Sequence, residues 1–176
     1  MAFETVQTEL IYQGRVFDIQ TDLVRMPDGR LVTLDLVVHS GAIAVIPIDD
    51  QKQIWFIRQY RHPAKSLLLE LPAGVMETGE LPEITAQREI REEIGMAAQE
   101  IKKIGEFFLA PGYSSEYMYI YLASGLYPAP LSGDEDEYIS LEKIPLDEAY
   151  RMAETGQIQD AKSLAALLLA RPYLLK

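Results

Sequence analysis

No cysteine occurs in the 176 residues, which excludes a disulfide framework, a thiolate zinc site and a thiol nucleophile. Histidine is almost as scarce. His39 and His62 are the only two, too few for a histidine-built metal centre, and His62, just before Pro63, reads as a turn residue. Basic charge is also short: 16 Lys and Arg stand against 27 Asp and Glu, a formal net charge of −11. That balance is the opposite of the basic surface that binding to nucleic-acid backbones needs. Long apolar runs are missing, and residues 164–170 are among the longest, whereas a bilayer span takes roughly 20 residues. The opening MAFETVQTEL carries neither a basic leader nor an apolar stretch. The expectation is a cytoplasmic protein with no membrane or nucleic-acid partner.

What is present suffices for a packed domain. The length fits one domain with a small extension, and 48% hydrophobic residues can form a proper core. The first forty residues are β-rich, through Leu10 to Tyr12, Val16 to Ile19 and Thr21 to Met26. Pro27-Asp28-Gly29-Arg30 is a turn signal, and the arm from Leu31 to Val38 completes a hairpin. Ala42 to Ile48 reads as a buried strand and Ile54 to Gln59 as another. Ser66 to Leu71 is a short apolar stretch leading to Pro72-Ala73-Gly74. Pro82 opens a helix whose buried stripe is Ala86, Ile90 and Ile94, with Gly95 as terminator. Further strands are expected over 101–109, 116–123 and 137–141, and helices over 146–154 and 160–170. The whole is a mixed α/β chain.

The stretch GVMETGELPEITAQREIREEIGM, from Gly74 to Met96, carries the chemistry. On a helix, Glu89, Glu92 and Glu93 fall at i, i+3 and i+4 and so share one face. Carboxylates that close repel one another, by a few tenths of a kcal/mol for each exposed pair. They are also hard oxygen ligands suited to Mg²⁺ or Mn²⁺. A solvated acidic face is the plainer interpretation, but bracketing glycines and an adjacent Arg88 favour a site. The spacing is that of the Nudix box, G-x5-E-x7-R-E-U-x-E-E-x-G-U with U a bulky apolar residue, matched at every fixed position. The chain therefore resembles a Nudix hydrolase.

That resemblance implies metal ligation by Glu89, Glu92 and Glu93, joined by the backbone carbonyl of Ala73 or Gly74. Glu80 is implied to assist the metal through water or to pair with Arg88, which acts either on substrate or as the tether of Glu80. Leu109-Ala110-Pro111-Gly112-Tyr113-Ser114-Ser115-Glu116 is similar to the P-G-x-[ST]-x-E loop of the ADP-ribose pyrophosphatase group, with Pro111 fifteen residues beyond Met96. Arg58-Gln59-Tyr60-Arg61-His62-Pro63 and Leu69-Glu70-Leu71-Pro72-Ala73-Gly74 resemble the group's RQYR-x-P and ELPAG segments. Ala110 replaces the serine that often precedes the proline-glycine pair, and Glu116 stays in place.

The residues expected to act follow from these segments. Glu93 or Glu116 is the general base that takes a proton from the attacking water. Arg61 and Arg58 are candidate clamps for phosphate or ribose oxygens, or else ordinary surface arginines with carboxylate partners. Glu70 is a candidate acceptor for substrate hydroxyls or amines, or a salt-bridge partner for a nearby arginine. Tyr12, Phe17 and Tyr113 are candidates for stacking on adenine, although such residues in strands more often belong to a core. The run Asp134-Glu135-Asp136-Glu137 reads as a solvated strand entry.

The expected architecture is α/β, a Nudix-like mixed β-sheet sandwiched between helices with an N-terminal antiparallel β extension. Residues 1–40 would form that extension and pair two subunits, and residues 41–176 the hydrolase domain. The implied activity is Mg²⁺-dependent hydrolysis of ADP-ribose to AMP and ribose 5-phosphate, with Mn²⁺ a possible substitute. The alternatives are another nucleoside diphosphate sugar pyrophosphatase, acting on GDP-mannose or ADP-glucose, and a non-catalytic module that senses ADP-ribose.

Overall fold

The computed structural model describes residues 2–133 and 138–175. The acidic run Asp134 to Glu137 lies outside the described residues. The chain divides into two compact units, one formed by the chain up to Gly41 together with Phe108–Tyr117, the other by Ala42–Phe107 and the chain from Met118 onward.

The first unit is an antiparallel sheet of β1 (Glu4–Gln13), β2 (Phe17–Arg25) and β3 (Leu31–His39), in that order. The expected hairpin is β2–β3, paired from Phe17↔His39 to Arg25↔Leu31 and closed at Met26–Arg30 by backbone bonds of 2.8 Å. β1 is longer than the sequence suggested, because its residues barely alternate between apolar and polar, and every position in it is exposed. The segment Phe108–Tyr117 is tied to β3: Val37 N–H donates to the Tyr113 carbonyl at 2.8 Å and Ser115 N–H to the Val37 carbonyl at 3.0 Å.

The second unit holds the other elements, apart from Phe108 and Tyr117. In chain order they are β4 (Ala42–Pro47), β5 (Gln53–Arg61), β6 (Ser66–Glu70), β7 (Ala73–Val75), α1 (Pro82–Glu93), β8 (Met96–Phe108), β9 (Tyr117–Pro128), β10 (Ile139–Pro145), α2 (Leu146–Glu154) and α3 (Ala161–Leu174). They make two sheets, ordered β10-β5-β6 and β7-β4-β9-β8. β4 pairs antiparallel with β7 and parallel with β9. The expected α/β class is found. β4 is buried at every position, as a strand flanked on both edges and packed by α1 and α3 must be. The stripe Ala86, Ile90 and Ile94 meets Ile43, Val45, Tyr121 and Ala123 in one core cluster. Burying each such large aliphatic side chain contributes about 1.5–3 kcal/mol, which fixes α1 against β4.

Several boundaries differ from the sequence reading, and β9 and β10 run on past the expected ends at 123 and 141. Ser66–Glu70 is a strand, because its backbone pairs with β5 from Ile57↔Glu70 to Arg61↔Ser66. β8 begins at Met96, with two residues between it and the helix end, and earlier than the expected 101. α3 runs through Pro172 to Leu174, where the missing N–H falls in the last turn. Among the described residues, no helix is long and apolar enough to cross a membrane.

Candidate active site

The site grows from the way α1 begins and ends. Glu80 N–H donates to the Glu77 carbonyl at 3.0 Å, and Pro82 takes the first turn, where a missing N–H costs nothing. The helix stops at Glu93, and Gly95 adopts φ +69°, a left-handed conformation that glycine reaches without strain. Glu89, Glu92 and Glu93 thus occupy the last two turns of a short helix whose opposite stripe is locked into the core.

Arg88 is the centre of the charge cluster. It grips Glu80 with two nitrogens, each at 3.2 Å, and its Nη1 donates to Glu89 at 2.6 Å and to Glu92 at 2.8 Å. Its Nη2 also donates to the Val75 carbonyl at 3.2 Å. This is the tether geometry. Burial works to lower the guanidinium pKa, but the ion pairs with Glu80, Glu89 and Glu92 outweigh it and the net shift is upward. The Arg88 bond holds the Glu80 carboxyl below its ordinary range. One arginine thereby offsets the repulsion that its neighbouring carboxylates would otherwise impose.

The loop after β6 completes the arrangement. Ala73 N–H donates to the Glu93 carboxylate at 3.0 Å. A Cβ placed on Gly74 would lie 1.9 Å from Glu89 Oε1, so only glycine lets this carboxylate rest against the strand. Glu89 is buried, at 7% exposure. Among the described residues, no three acidic or imidazole side chains converge as a ready-made metal cage; Arg88 stands between the carboxylates instead. The donor chemistry still fits a divalent cation, since two of the three neighbouring carboxylates, Glu89 and Glu93, lie against the Ala73–Gly74 backbone, where a missing Cβ makes room.

Beside this cluster lies a second charged group. Arg61 Nε and Nη2 both donate at 2.8 Å to Glu70, which is 1% exposed, and Lys162 donates to the same carboxylate. Burial raises the Glu70 pKa, but Arg61 and Lys162 more than reverse this and hold it low. Arg61 feels the charge of Glu93 as well as that of Glu70, which places it near the glutamate cluster. Arg58 instead pairs with Glu142 across β5 and β10, its Nε at 2.5 Å from the carboxylate.

The structure therefore gathers Ala73, Glu89, Glu92 and Glu93 with the Arg61–Glu70 pair alongside. Arg58 is turned to another partner, and Glu116 belongs to the first compact unit. Glu116 N–H donates to Ser114 Oγ at 3.1 Å and its carbonyl accepts from Leu109 N–H at 3.0 Å. Tyr12, Phe17 and Tyr113 are exposed, not core. Sequence reasoning passed over Lys162 and Ser163 as a helix start. The signal that could have found them is Asp160-x-x-Ser163, a capping spacing that marks where a helix end meets the rest of the molecule.

Comparisons with known proteins bear on the chain as a whole. Residues 38–167 match the NUDIX domain. An ADP-ribose pyrophosphatase from Mycobacterium tuberculosis is 38% identical over 169 residues, covering 94% of this chain and 82% of that protein. A methanol dehydrogenase activator from Bacillus methanolicus is 37% identical over 166 residues, covering 93% and 90%. The crystal structure of an ADP compounds hydrolase, 26% identical, aligns with a TM-score of 0.87 over 99% of this chain and 95% of that one.

Proposed function

This chain belongs to the Nudix hydrolase family, and we propose that it cleaves the pyrophosphate of ADP-ribose to give AMP and ribose 5-phosphate. The observation that supports this most directly is the seating of Glu89 and Glu93 against the Ala73–Gly74 backbone, beside Arg61. The substrate is drawn from the relative named ADP-ribose pyrophosphatase and from the Pro111-to-Glu116 loop.

In this reading Glu89, Glu92 and Glu93, with the Ala73 carbonyl, hold Mg²⁺, and Mn²⁺ can replace it. A divalent cation there supplies neutralising charge for the pyrophosphate and makes a water more acidic. Arg88 keeps Glu80, Glu89 and Glu92 in place by donating to all three. Arg61, held in one orientation by Glu70, presents its positive charge to the phosphates. A carboxylate, Glu93 or Glu116, takes the proton of the attacking water, whose oxygen bonds to phosphorus as the bridging oxygen departs with the other phosphate. The exposed apolar sheet of β1, β2 and β3 is the surface through which two copies pair into a homodimer.

A panel of ADP-ribose, ADP-glucose and GDP-mannose, assayed with Mg²⁺ and with product analysis, tests the assignment. The expected result is the highest kcat/KM for ADP-ribose, with AMP as product. Preference for GDP-mannose moves the substrate within the family. Binding of ADP-ribose without turnover makes the chain a sensor and ends the catalytic proposal.

A further inference from the structure

Nothing in the glutamate cluster requires a helix some seventy residues further along the chain, yet the start of α3 is bonded into the loop that seats it. Asp160 caps α3, accepting from Ser163 N–H at 3.0 Å and from the Ser163 hydroxyl at 2.6 Å. Because that hydroxyl donates to Asp160, its oxygen is left to accept, and Leu71 N–H donates to it at 2.8 Å. Ser163 and Leu71 are both fully buried, so no water can replace either partner. One residue earlier in the helix, Lys162 reaches both Glu70 and Asp160.

The backbone from Leu71 to Gly74 is consequently pinned at each residue in turn. Leu71 N–H is held by Ser163, the Pro72 carbonyl accepts from Val45 N–H at 2.9 Å, Ala73 N–H donates to Glu93, and Gly74 leaves the room that Glu89 fills. The last two contacts are the seats of two glutamates. The first is supplied by α3.

Given the metal role proposed for those glutamates, we propose that Ser163 and Lys162 are positioning residues that act on two different halves of the site. Ser163 fixes the height of the Leu71–Gly74 backbone and so sets where Glu89 and Glu93 stand relative to it. Lys162 acts on Arg61 through Glu70. The charges of Arg61, Lys162, Glu70 and Asp160 cancel as a group. Without Lys162 the group is net negative, and the Arg61 charge is consumed by a carboxylate that no water can screen. An anionic substrate then meets a weaker attraction.

The two substitutions should separate cleanly. Ser163→Ala keeps the helix capped by Asp160 through the Ser163 backbone N–H, and it loses only the hydroxyl. It should lower both Mn²⁺ affinity in the absence of substrate and kcat by about tenfold or more, the usual effect of removing an outer support of a metal site, with KM for ADP-ribose little changed. Ser163→Thr, which restores the hydroxyl, should recover both. Lys162→Met should raise KM and leave Mn²⁺ affinity unaltered. Leu168→Ala, at an exposed position of the same helix, is the control and should change neither.

If Ser163→Ala and Lys162→Met lower only the melting temperature, with Mn²⁺ affinity, kcat and KM all at wild-type values, the helix start is mere scaffolding and the inference falls. If wild-type protein neither binds Mn²⁺ nor cleaves any nucleotide, the functional proposal fails by itself. Amide exchange then decides the geometry: faster exchange at Ala73 in Ser163→Ala, with β5 amides unchanged, sustains the strut, and unchanged exchange at Ala73 overturns it.

Discussion

Glu70 is 1% exposed and Leu10 is 54% exposed, an inversion of where a charge and an aliphatic side chain belong. The two residues represent two regions with opposite departures from the usual pattern. In the second unit, charge is taken out of water and every buried carboxylate described above has a cation or an N–H against it. In the N-terminal sheet, apolar groups stay in water. Leu10 and Ile11 are neighbours on β1, where its register against β2 shifts, and both are more than half exposed. Phe3, Val6, Tyr12, Phe17, Leu31 and Leu34 are exposed in the same unit. β1 is also an edge strand, paired among the described residues with β2 alone, and natural proteins usually blunt such an edge with charge or proline. On the homodimer proposal, the region of Glu70 is complete within one chain and that of Leu10 is half of an interface.

The largest effect expected of any change falls on the complete region. Glu93→Gln keeps the shape and removes a ligand charge, and possession of the base role as well would put the loss in the range of roughly 10²- to 10⁴-fold in kcat. Folding should be nearly unaffected, as judged by melting temperature. Near-wild-type turnover in Mg²⁺ would mean that the glutamate cluster is not the metal site. Glu116→Gln is the paired measurement. A kcat loss in that same range of 10² or more, with KM intact, makes Glu116 the base, and a loss under about threefold, far below it, leaves the role to Glu93.

Next in size is the removal of residues 1–40, which tests the incomplete region. If the sheet of β1, β2 and β3 is half of a homodimer interface, the shortened chain should aggregate or lose activity. Interfaces of this obligate kind bury on the order of 2,000 Å² or more, so the intact protein should sediment as a dimer at micromolar concentration. An active wild-type monomer at that concentration removes the interface from consideration and leaves the exposed apolar side chains unexplained.

Gly74→Ala probes the closest contact of the complete region. Its Cβ would sit 1.9 Å from Glu89 Oε1 and 2.0 Å from the carboxyl carbon, so the glutamate must leave its seat. The clash is with the end of a flexible side chain, so the stability cost should fall at or below the about 1–3 kcal/mol of core overpacking, whereas displacing a proposed metal ligand should lower kcat by at least tenfold, as loss of a supporting residue does elsewhere. Thermal melting and steady-state rates read the two effects separately. A variant of wild-type activity would show that Glu89 can work from another position.

Much of this arrangement could be read in the sequence because its signals are local. The helical spacing of Glu89, Glu92 and Glu93, the Ala86-Ile90-Ile94 stripe and the Pro27-to-Arg30 turn each fall within a few residues, and each appears where expected. The contacts that remained hidden are those across long separations. Ser163 Oγ and Leu71 N–H are 92 residues apart, and no periodicity marks them. β1 escaped for a different reason. A strand exposed on both faces has no buried side to impose alternation, so nothing in Glu4–Gln13 distinguishes its faces. The choice between partners for Arg58 and Arg61 was equally invisible, because it depends on which neighbouring strand offers a carboxylate.

That choice yields the smallest expected effect. Arg58 and Arg61 lie three residues apart on β5, and each makes a two-nitrogen contact with a glutamate. Arg58 and Glu142 are 40% and 36% exposed in their side chains, so water screens the pair and its contribution should be about 0–1 kcal/mol. Glu70 is buried, and removing Arg61 leaves its charge to Lys162 alone, a loss that in buried pairs approaches 3–5 kcal/mol when no second cation is present. Arg58→Met should therefore shift melting only slightly and leave kcat and KM for ADP-ribose near wild type. Arg61→Met should lower the melting temperature and raise KM. Measuring both variants side by side makes the comparison decisive: if Arg58→Met raises KM as much as Arg61→Met does, Arg58 leaves Glu142 to meet the substrate and both arginines belong to the binding site.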